Sequence, residues 1–165
     1  MNKQNIALIG MAGSGKSSVG VVLAQSLGWN FIDIDVLLER EHGKPLQDIL
    51  DQAGEDSFQE LESAKVMEQA HLDATVIAPG GSIVYSQKAM EVLKNISTVV
   101  YLVASLDTIL QRIDVSSRGI VGLRDRSFAE LFVEREKLYQ RYADIEVSVL
   151  EKNPAQIAEE IATQF

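Results

Sequence analysis

The sequence predicts a three-layer α/β/α domain built on a five-stranded parallel sheet. Five short apolar runs, rich in valine and isoleucine, alternate along the chain with stretches of helical periodicity. The runs are nearly continuous in their hydrophobicity, which is typical of strands covered by helices on both faces. The chain has 165 residues, 46% of them hydrophobic, and this is enough for one domain with a sizeable core. We therefore expect a single domain over residues 1–165.

The elements follow one another in regular alternation, so right-handed crossovers should place helices on both faces of the sheet. The apolar runs predict strands over 6–10, 30–34, 74–78, 97–104 and 145–150. The stretches between them predict helices over 16–27, 35–42, 45–52, 55–71, 86–94, 106–113, 127–143 and 154–164.

The composition limits the possible partners. The net charge is −9, and an acidic protein repels the phosphate backbone of nucleic acids, although small anions can still bind locally. The chain has no cysteine, which excludes disulfides and thiolate metal sites and fits a cytoplasmic protein. No apolar segment approaches the roughly 20 residues that span a bilayer, and the N-terminus lacks a signal-peptide pattern. We expect a cytoplasmic monomer that binds neither nucleic acid nor membrane.

The first strand leads into a glycine-rich loop, GMAGSGKS, at residues 10–17. The loop matches G-x-x-x-x-G-K-[ST] between a predicted strand and a predicted helix, the context that a phosphate-binding loop (P-loop) requires. Glycines let successive N–H groups point into one concavity, and the following helix adds its N-terminal partial charge. The motif predicts that Lys16 reaches the β- and γ-phosphates of ATP and that Ser17 ligates Mg²⁺. The alternative is a glycine-rich turn without a ligand. The predicted nucleotide-binding residues of this loop are Gly10, Ala12, Gly13, Ser14, Gly15, Lys16, Ser17 and Ser18.

Two aspartates, Asp33 and Asp35, stand at the end of the second strand. Side chains two apart on a strand share one side, and ligands of open α/β sheets bind beyond the carboxyl ends of the strands. We expect the pair beside the glycine-rich loop, with one carboxylate at the Mg²⁺ shell and the other orienting or deprotonating an attacking hydroxyl. Alternatively, Asp35 serves as the N-cap of the next helix.

Residues 114–126, DVSSRGIVGLRDR, interrupt the alternation of strands and helices. A loop of this length in a compact domain is usually functional or disordered, and we interpret it as a mobile lid. Six of the seven arginines fall between residues 112 and 141, which favours an anion site in this part of the chain. The alternative for individual arginines, such as Arg126 and Arg141, is a solvated helix face.

The helix predicted over 127–143 places a charge on its apolar face. Arg135 falls inside the apolar stripe, whereas the other charged side chains of the helix fall outside it. A buried cation is costly unless it is paired, and a bidentate carboxylate ligand would satisfy it. An internal salt bridge is the alternative. The stripe consists of Phe128, Leu131, Phe132, Leu138, Tyr139 and Tyr142.

In their order along the chain, these motifs resemble the shikimate kinase family, whose fold is a P-loop kinase fold. The resemblance includes the P-loop, the D-x-D pair, the turn PGGS at 79–82, the lid and the segment REKLYQRYAD at 135–144. Near the C-terminus, KNP at 152–154 resembles the family's adenine loop. The resemblance covers nearly the whole chain and implies that residues 34–71 form a helical substrate-binding part.

For the nucleotide, the resemblance implies that Lys16 and the loop amides bind the phosphates of ATP. Ser17 and Asp33 would hold Mg²⁺. The adenine ring would lie between Arg112 and Pro154.

For the acceptor, the resemblance implies that Asp35 contacts the hydroxyls and serves as the base. Gly80 and Gly81 would offer backbone groups. Arg118, in the lid, would close over the transferring phosphoryl group, and Arg135 would pair with the acceptor carboxylate. The implied reaction is the conversion of shikimate to shikimate 3-phosphate, a step of chorismate and aromatic amino acid biosynthesis.

Three positions depart from the family pattern, all on the acceptor side. Gln59 replaces an arginine that grips the acceptor carboxylate, so we expect Gln59 to bind substrate through a neutral contact. Ser82 replaces the third glycine of the turn, and the lid motif reads RGIV at 118–121. These changes leave two alternatives open: a related kinase with another acceptor, and a nucleotide-binding homologue with little kinase activity.

Overall fold

The computed structural model of the protein describes residues 4–115 and 119–165. Five parallel strands form one sheet, as the sequence predicts, and their order in the sheet is β2-β3-β1-β4-β5. Ile6 of β1 lies opposite Val76 of β3 and Thr98 of β4, so β1 has a neighbour on each side. The strands are β1 (Asn5–Ile9), β2 (Asn30–Asp33), β3 (Thr75–Ala78), β4 (Ser97–Val103) and β5 (Ile145–Ser148).

The helices connect the strands and cover the sheet, and their positions follow the predicted ones closely. The described residues contain α1 (Lys16–Leu27), α2 (Ile34–His42), α3 (Leu46–Ala53), α4 (Glu55–Met67), α5 (Gln87–Ile96), α6 (Leu106–Arg112), α7 (Phe128–Tyr142) and α8 (Pro154–Ala162). No helix in this part of the chain is long and apolar enough to cross a membrane.

Two local differences from the predicted elements have clear causes. Helix α4 ends at Met67, four residues early, because the backbone N–H groups of Gln69 and Ala70 bond to the carbonyls three residues before them and tighten the chain into turns. The turn after β3 continues as a short 3₁₀-helix over Gly81–Tyr85, an element that the sequence pattern did not predict. This 3₁₀-helix carries Ser82 and Tyr85 toward the carboxyl edge of the sheet.

The strand order fixes where a ligand can bind. From β1 the chain moves to one side of the sheet for β2 and β3, and later to the other side for β4 and β5. Ligands of such sheets bind at the carboxyl edge near the strand where this direction reverses. The loops after β1, β2 and β3 all leave from that edge. The central strands β1, β3 and β4 are mostly buried, whereas the edge strands β2 and β5 are more exposed.

Candidate active site

A cavity of about 720 Å³ opens at the carboxyl edge of the sheet. Among the predicted residues, Gly10 and Gln59 do not line it, and Arg118 lies outside the described residues. All the other predicted site residues line the cavity: Ala12, Gly13, Ser14, Gly15, Lys16, Ser17, Ser18, Asp33, Asp35, Gly80, Gly81, Arg112, Arg135 and Pro154.

The loop between β1 and α1 has a backbone that only glycine adopts readily. Gly10, Gly13 and Gly15 have φ angles of 151°, 84° and 99°. A β-carbon at Gly13 would meet a methyl group of Ile113 at 2.5 Å, so the loop also packs too closely for a side chain there. The hydroxyl of Ser14 is buried and has no hydrogen-bond partner among the described residues. A nest of this form, opening onto the N-terminus of α1, is suited to phosphate.

Lys16 is the first residue of α1, and its side chain turns back over the loop. Its Nζ donates to the carbonyls of Gly10 (2.8 Å) and Met11 (3.0 Å). The ammonium group is therefore held at the rim of the concavity, where it can exchange carbonyl oxygens for phosphate oxygens. Gly10 contributes a carbonyl that orients Lys16, although it does not line the cavity itself.

The two carboxylate oxygens of Asp33 make different hydrogen bonds. Its Oδ1 accepts from the backbone N–H groups of Asp35 (3.0 Å) and Val36 (3.3 Å), and its Oδ2 accepts from the hydroxyl of Ser17. Asp33, not Asp35, is therefore the N-cap of α2. A hydroxyl and a carboxylate brought together beside a phosphate loop are hard oxygen donors that fit Mg²⁺, whose remaining ligands in such sites are phosphates and water.

The expected position of Asp35 is correct, but the reason given for it is wrong. The strand ends at Asp33 and α2 begins at Ile34, so Asp33 and Asp35 do not share a strand face. Asp35 instead lies in the first turn of α2, where the helix start points it into the cavity. An aspartate is also favoured there by the partial positive charge of the helix N-terminus.

Glu62 of α4 lines the cavity and was not among the predicted site residues. Only 2% of it is exposed. Burial, and to a smaller extent repulsion from Asp35, raises the pKa of Glu62 to about 7. The signal was present in the sequence, because Glu62 lies in the buried row of α4 with Phe58 and Val66, four residues from each. The same pattern identified Arg135 on α7.

Gly80 and Gly81 form the turn between two groups of charged side chains. A β-carbon at Gly80 would collide with Glu62 Oε1 and lie 2.9 Å from Asp35 Oδ1. A β-carbon at Gly81 would lie 3.1 Å from Arg135 Nη1 and 3.5 Å from the Ala12 nitrogen of the phosphate loop. A side chain at Gly80 would displace Glu62, and one at Gly81 would need small shifts of its neighbours, so the turn lies close against both groups.

Arg135 is 2% exposed, as its place in the apolar stripe predicts. Its Nη2 donates to the Val121 carbonyl (2.7 Å), and its guanidinium carbon lies 5.4 Å from the centre of the Tyr85 ring. Among the described residues its Nε has no hydrogen-bond partner, and no carboxylate pairs with it. The internal salt bridge considered from the sequence is therefore not formed in this part of the chain.

Tyr139 lies four residues after Arg135 on α7 and holds the Gly80–Gly81 turn in place. Its hydroxyl donates to the Gly81 carbonyl (2.7 Å). Burial raises the pKa of Tyr139 far above its usual value, so the phenol remains a hydrogen-bond donor. Asp144, the last residue of the segment that carries the family resemblance, has a structural role: it accepts from Val99 N (2.9 Å) and Lys94 (2.9 Å).

The segment interpreted as a lid contributes Gly119, Ile120 and Val121 to the lining of the cavity. Ile120 and Val121 are buried, and Gly119 lies against the backbone of Leu46 and Gln47 in α3. The Gly122 N–H donates to Glu55 Oε1 (2.9 Å) at the start of α4. These contacts connect residues 119–122 to α3, α4 and α7.

Three further predicted residues lie at the periphery. Arg112 donates to the Gly13 carbonyl (3.4 Å), and both Arg112 and Pro154 line the cavity from its nucleotide side. Gln59 is half-buried on α4 and does not reach the cavity wall. A substrate contact through Gln59 therefore has no support from this structure.

The parallel sheet, the phosphate loop opening onto α1 and the adjoining wall of buried charged side chains define a P-loop kinase that acts on a small molecule. The comparisons with known proteins narrow this class. The model of the shikimate kinase family matches residues 12–165 of this chain. The chain therefore belongs to the shikimate kinase family.

The relatives match over nearly their whole length. The shikimate kinase of Sulfurihydrogenibium sp. (strain YO3AOP1) is 37% identical over 163 residues, which are 98% of both chains. The structure of the Acinetobacter baumannii shikimate kinase in complex with shikimate superposes with a TM-score of 0.90 at 29% identity, covering 99% of this chain and 93% of that one. The Aquifex aeolicus shikimate kinase superposes with a TM-score of 0.81 at 31% identity, covering 97% and 94%.

Proposed function

We propose that the protein transfers the γ-phosphoryl group of ATP to a hydroxyl of shikimate. The observation that carries the proposal is the closeness of two anion-binding elements in one cavity. The phosphate loop, at Ala12, and the buried guanidinium of Arg135 both lie against Gly81. A triphosphate and a small carboxylated alcohol can therefore be bound side by side, with the carboxylates of Asp35 and Glu62 close to the acceptor.

The nucleotide is bound mainly by fixed dipoles and one cation. Backbone N–H groups of the loop and of the first turn of α1 receive the phosphates, and Lys16 neutralises the β- and γ-oxygens. Ser17 and Asp33 would hold Mg²⁺, which when bound neutralises charge that develops on the phosphate oxygens. Arg112 and Pro154 would enclose the adenine ring.

Asp35 is the acceptor's general base in this proposal. It faces the cavity from the start of α2, next to the turn at Gly80. Its carboxylate would accept the proton of the attacking hydroxyl as that oxygen approaches the γ-phosphorus in line with the leaving oxygen. Positioning supplies most of the rate in such a transfer, because little covalent chemistry falls to the protein.

Arg135 would fix the other end of the acceptor. Its guanidinium is buried, and its Nε lacks a partner among the described residues. A carboxylate that enters this site would form charge-assisted hydrogen bonds with little competition from water. Backbone groups of Gly80 and Gly81 would complete the acceptor site, and Arg118 would close over the phosphoryl group as part of a lid at 114–126.

A related kinase with a different acceptor is the second candidate. Gln59 gives the site no second guanidinium, and Ser82 adds a hydroxyl to the turn. Loss of a desolvated, charge-assisted contact weakens binding by about 2–5 kcal/mol.

The test is an assay of ADP release with and without acceptor. Stimulation by shikimate, with phosphate incorporated into it, supports the proposal. Stimulation only by another hydroxy acid favours the second candidate. ATP binding that no polyol acid converts into turnover would overturn both and leave a nucleotide-binding homologue.

We also infer that the protein acts as a monomer in the cytoplasm and binds neither nucleic acid nor membranes. The net charge of −9 supports the absence of a nucleic-acid partner. Light scattering during size-exclusion chromatography tests the monomer, and a dimer at assay concentration would contradict it.

A further inference from the structure

A hydroxyl–carboxylate contact joins the 3₁₀-helix Gly81–Tyr85 to helix α4 inside the cavity wall. The Ser82 hydroxyl donates to Glu62 Oε2. Both residues line the cavity, and they are only 5% and 2% exposed. Hydrogen bonds to a buried charged group are stronger than ordinary ones, so this contact restricts the carboxyl group strongly.

The two oxygens of Glu62 have different surroundings. Oε2 is bound by Ser82, whereas Oε1 lies over the α-carbon of Gly80. Asp35 Oδ1 lies 2.9 Å from the point that a β-carbon of residue 80 would occupy, so Oε1 and Oδ1 flank the same point. The bond to Ser82 therefore occupies one oxygen of Glu62 and leaves the other beside Gly80 and Asp35.

We propose that Ser82 is a positioning residue: its hydroxyl fixes Glu62 so that Oε1 stays beside Asp35 as a second acceptor of hydrogen bonds from the substrate's hydroxyls. Ser82 acts through Glu62 and does not touch the reacting atoms. The proposal deepens the proposed function, on which its substrate-binding part rests. It assigns a role to the residue that replaces the family's third glycine.

The groups around Glu62 set its pKa. Burial and the charge of Asp35 on α2 raise its pKa, whereas Ser82, Arg135 on α7 and Lys16 on α1 lower it. The resulting pKa is about 7, so protonated and ionised forms coexist near neutral pH. Removal of the Ser82 hydroxyl removes a group that favours the carboxylate, so the pKa of Glu62 must rise further.

The kinetic experiment compares Ser82→Ala and Ser82→Gly with the unchanged protein across neutral pH. We expect the KM for shikimate to rise about 10- to 150-fold, the equivalent of a lost hydrogen bond to a charged group, while the KM for ATP stays nearly constant. The acidic limb of the pH profile of kcat/KM should move to higher pH. Ser82→Thr, which keeps a hydroxyl, should restore both. An unchanged KM and an unchanged profile would overturn the proposal.

Ser63→Ala is a matched control. Its hydroxyl bonds to that of Ser86 (2.7 Å), so it also links α4 to the end of the 3₁₀-helix, one residue beyond Glu62. It does not line the cavity. A KM effect as large as that of Ser82→Ala would assign the result to general loosening of this contact and overturn a positioning role.

A double-mutant cycle with Glu62→Gln tests whether Ser82 acts through Glu62. The effect of Ser82→Ala should largely disappear in the Glu62→Gln background. A full, additive effect there would overturn the proposal.

A measurement without substrate separates this proposal from the proposed function. The carboxyl carbon of Glu62, observed by ¹³C NMR and assigned by its loss in Glu62→Gln, should titrate at higher pH in Ser82→Ala than in the unchanged protein. Equal titration overturns the proposal even in an active kinase. Failure of the unchanged protein to phosphorylate shikimate overturns the proposed function instead, while the titration still decides whether Ser82 controls Glu62.

Discussion

The phosphate side and the acceptor side of the cavity are built in opposite ways. The phosphate side comes from one continuous stretch, residues 10–18, and relies on backbone N–H groups, a helix end and Lys16. The acceptor side brings together Asp35, Glu62, Ser82 and Arg135, which come from α2, α4, the 3₁₀-helix and α7. Backbone dipoles bind any phosphate chain, whereas in the proposed function side chains at fixed positions select one acceptor.

Replacement of Lys16 should have the largest effect, because it removes the side-chain cation that the proposal assigns to the β- and γ-phosphates. We expect Lys16→Ala to show no measurable turnover in the ADP-release assay. Lys88→Ala, on the exposed face of α5, is the control and should behave as the unchanged protein. Appreciable activity of Lys16→Ala would show that the loop amides alone stabilise the reacting phosphate.

The next largest effect should come from Asp35→Asn, which keeps the shape of the side chain and removes the base. We expect kcat to fall about 10²- to 10⁴-fold, with ATP affinity changed much less. Single-turnover kinetics and nucleotide binding by calorimetry separate the two quantities. Asp48→Asn, an exposed change on α3, is the control. An unaltered kcat would assign proton removal to solvent or to another group.

Arg135→Lys tests the acceptor side directly. Lysine cannot form the bidentate contact, so we expect the KM for shikimate to rise roughly 30-fold to several thousandfold. The KM for ATP should change little. Arg141→Lys, on the exposed face of the same helix, is the matched control.

The methyl ester of shikimate sharpens this test, because it lacks the carboxylate. If Arg135 binds that group, the substitution should weaken the acid far more than the ester. Equal losses for both would mean that Arg135 supports the fold of the site without contacting the acceptor's carboxylate.

The smallest effect should come from Tyr85, which holds Arg135 indirectly. Its ring lies 5.4 Å from the guanidinium carbon, and its hydroxyl donates to Glu134. We expect Tyr85→Leu to raise the KM for shikimate about 2- to 30-fold, the equivalent of a lost cation–π contact. Tyr85→Phe keeps the ring and should have a smaller effect. A larger loss in Tyr85→Phe would show that the bond to Glu134 matters more than the ring.

The same contrast explains what could be predicted from the sequence. The strands, most helices and the phosphate loop depend on local patterns, and all were predicted within a few residues. Arg135 could be predicted because a charge interrupts an apolar stripe. The role of Asp33 as the cap of α2 could not be predicted. The residues where β2 ends and α2 begins also fit the pattern of a strand that continues.

The acceptor side was predicted less completely, since its contacts join residues far apart in the chain. Glu62 and Ser82 are 20 positions apart, and neither sequence segment indicates that they touch. Gln59 was expected to bind substrate by its place in the family pattern, yet its side chain does not line the cavity. The position of a side chain on a helix depends on how that helix packs, which local periodicity does not determine.

Helix α7 carries Arg135 and Tyr139 one turn apart, roughly 5–6 Å along the axis. The first lines the cavity with its guanidinium, and the second anchors the Gly81 carbonyl. One rigid helix therefore fixes both the guanidinium and the carbonyl of the glycine turn beside it, so the two groups keep their spacing. In the proposed function, an acceptor whose acid group needs another distance from the turn cannot be accommodated by moving only one of these two groups.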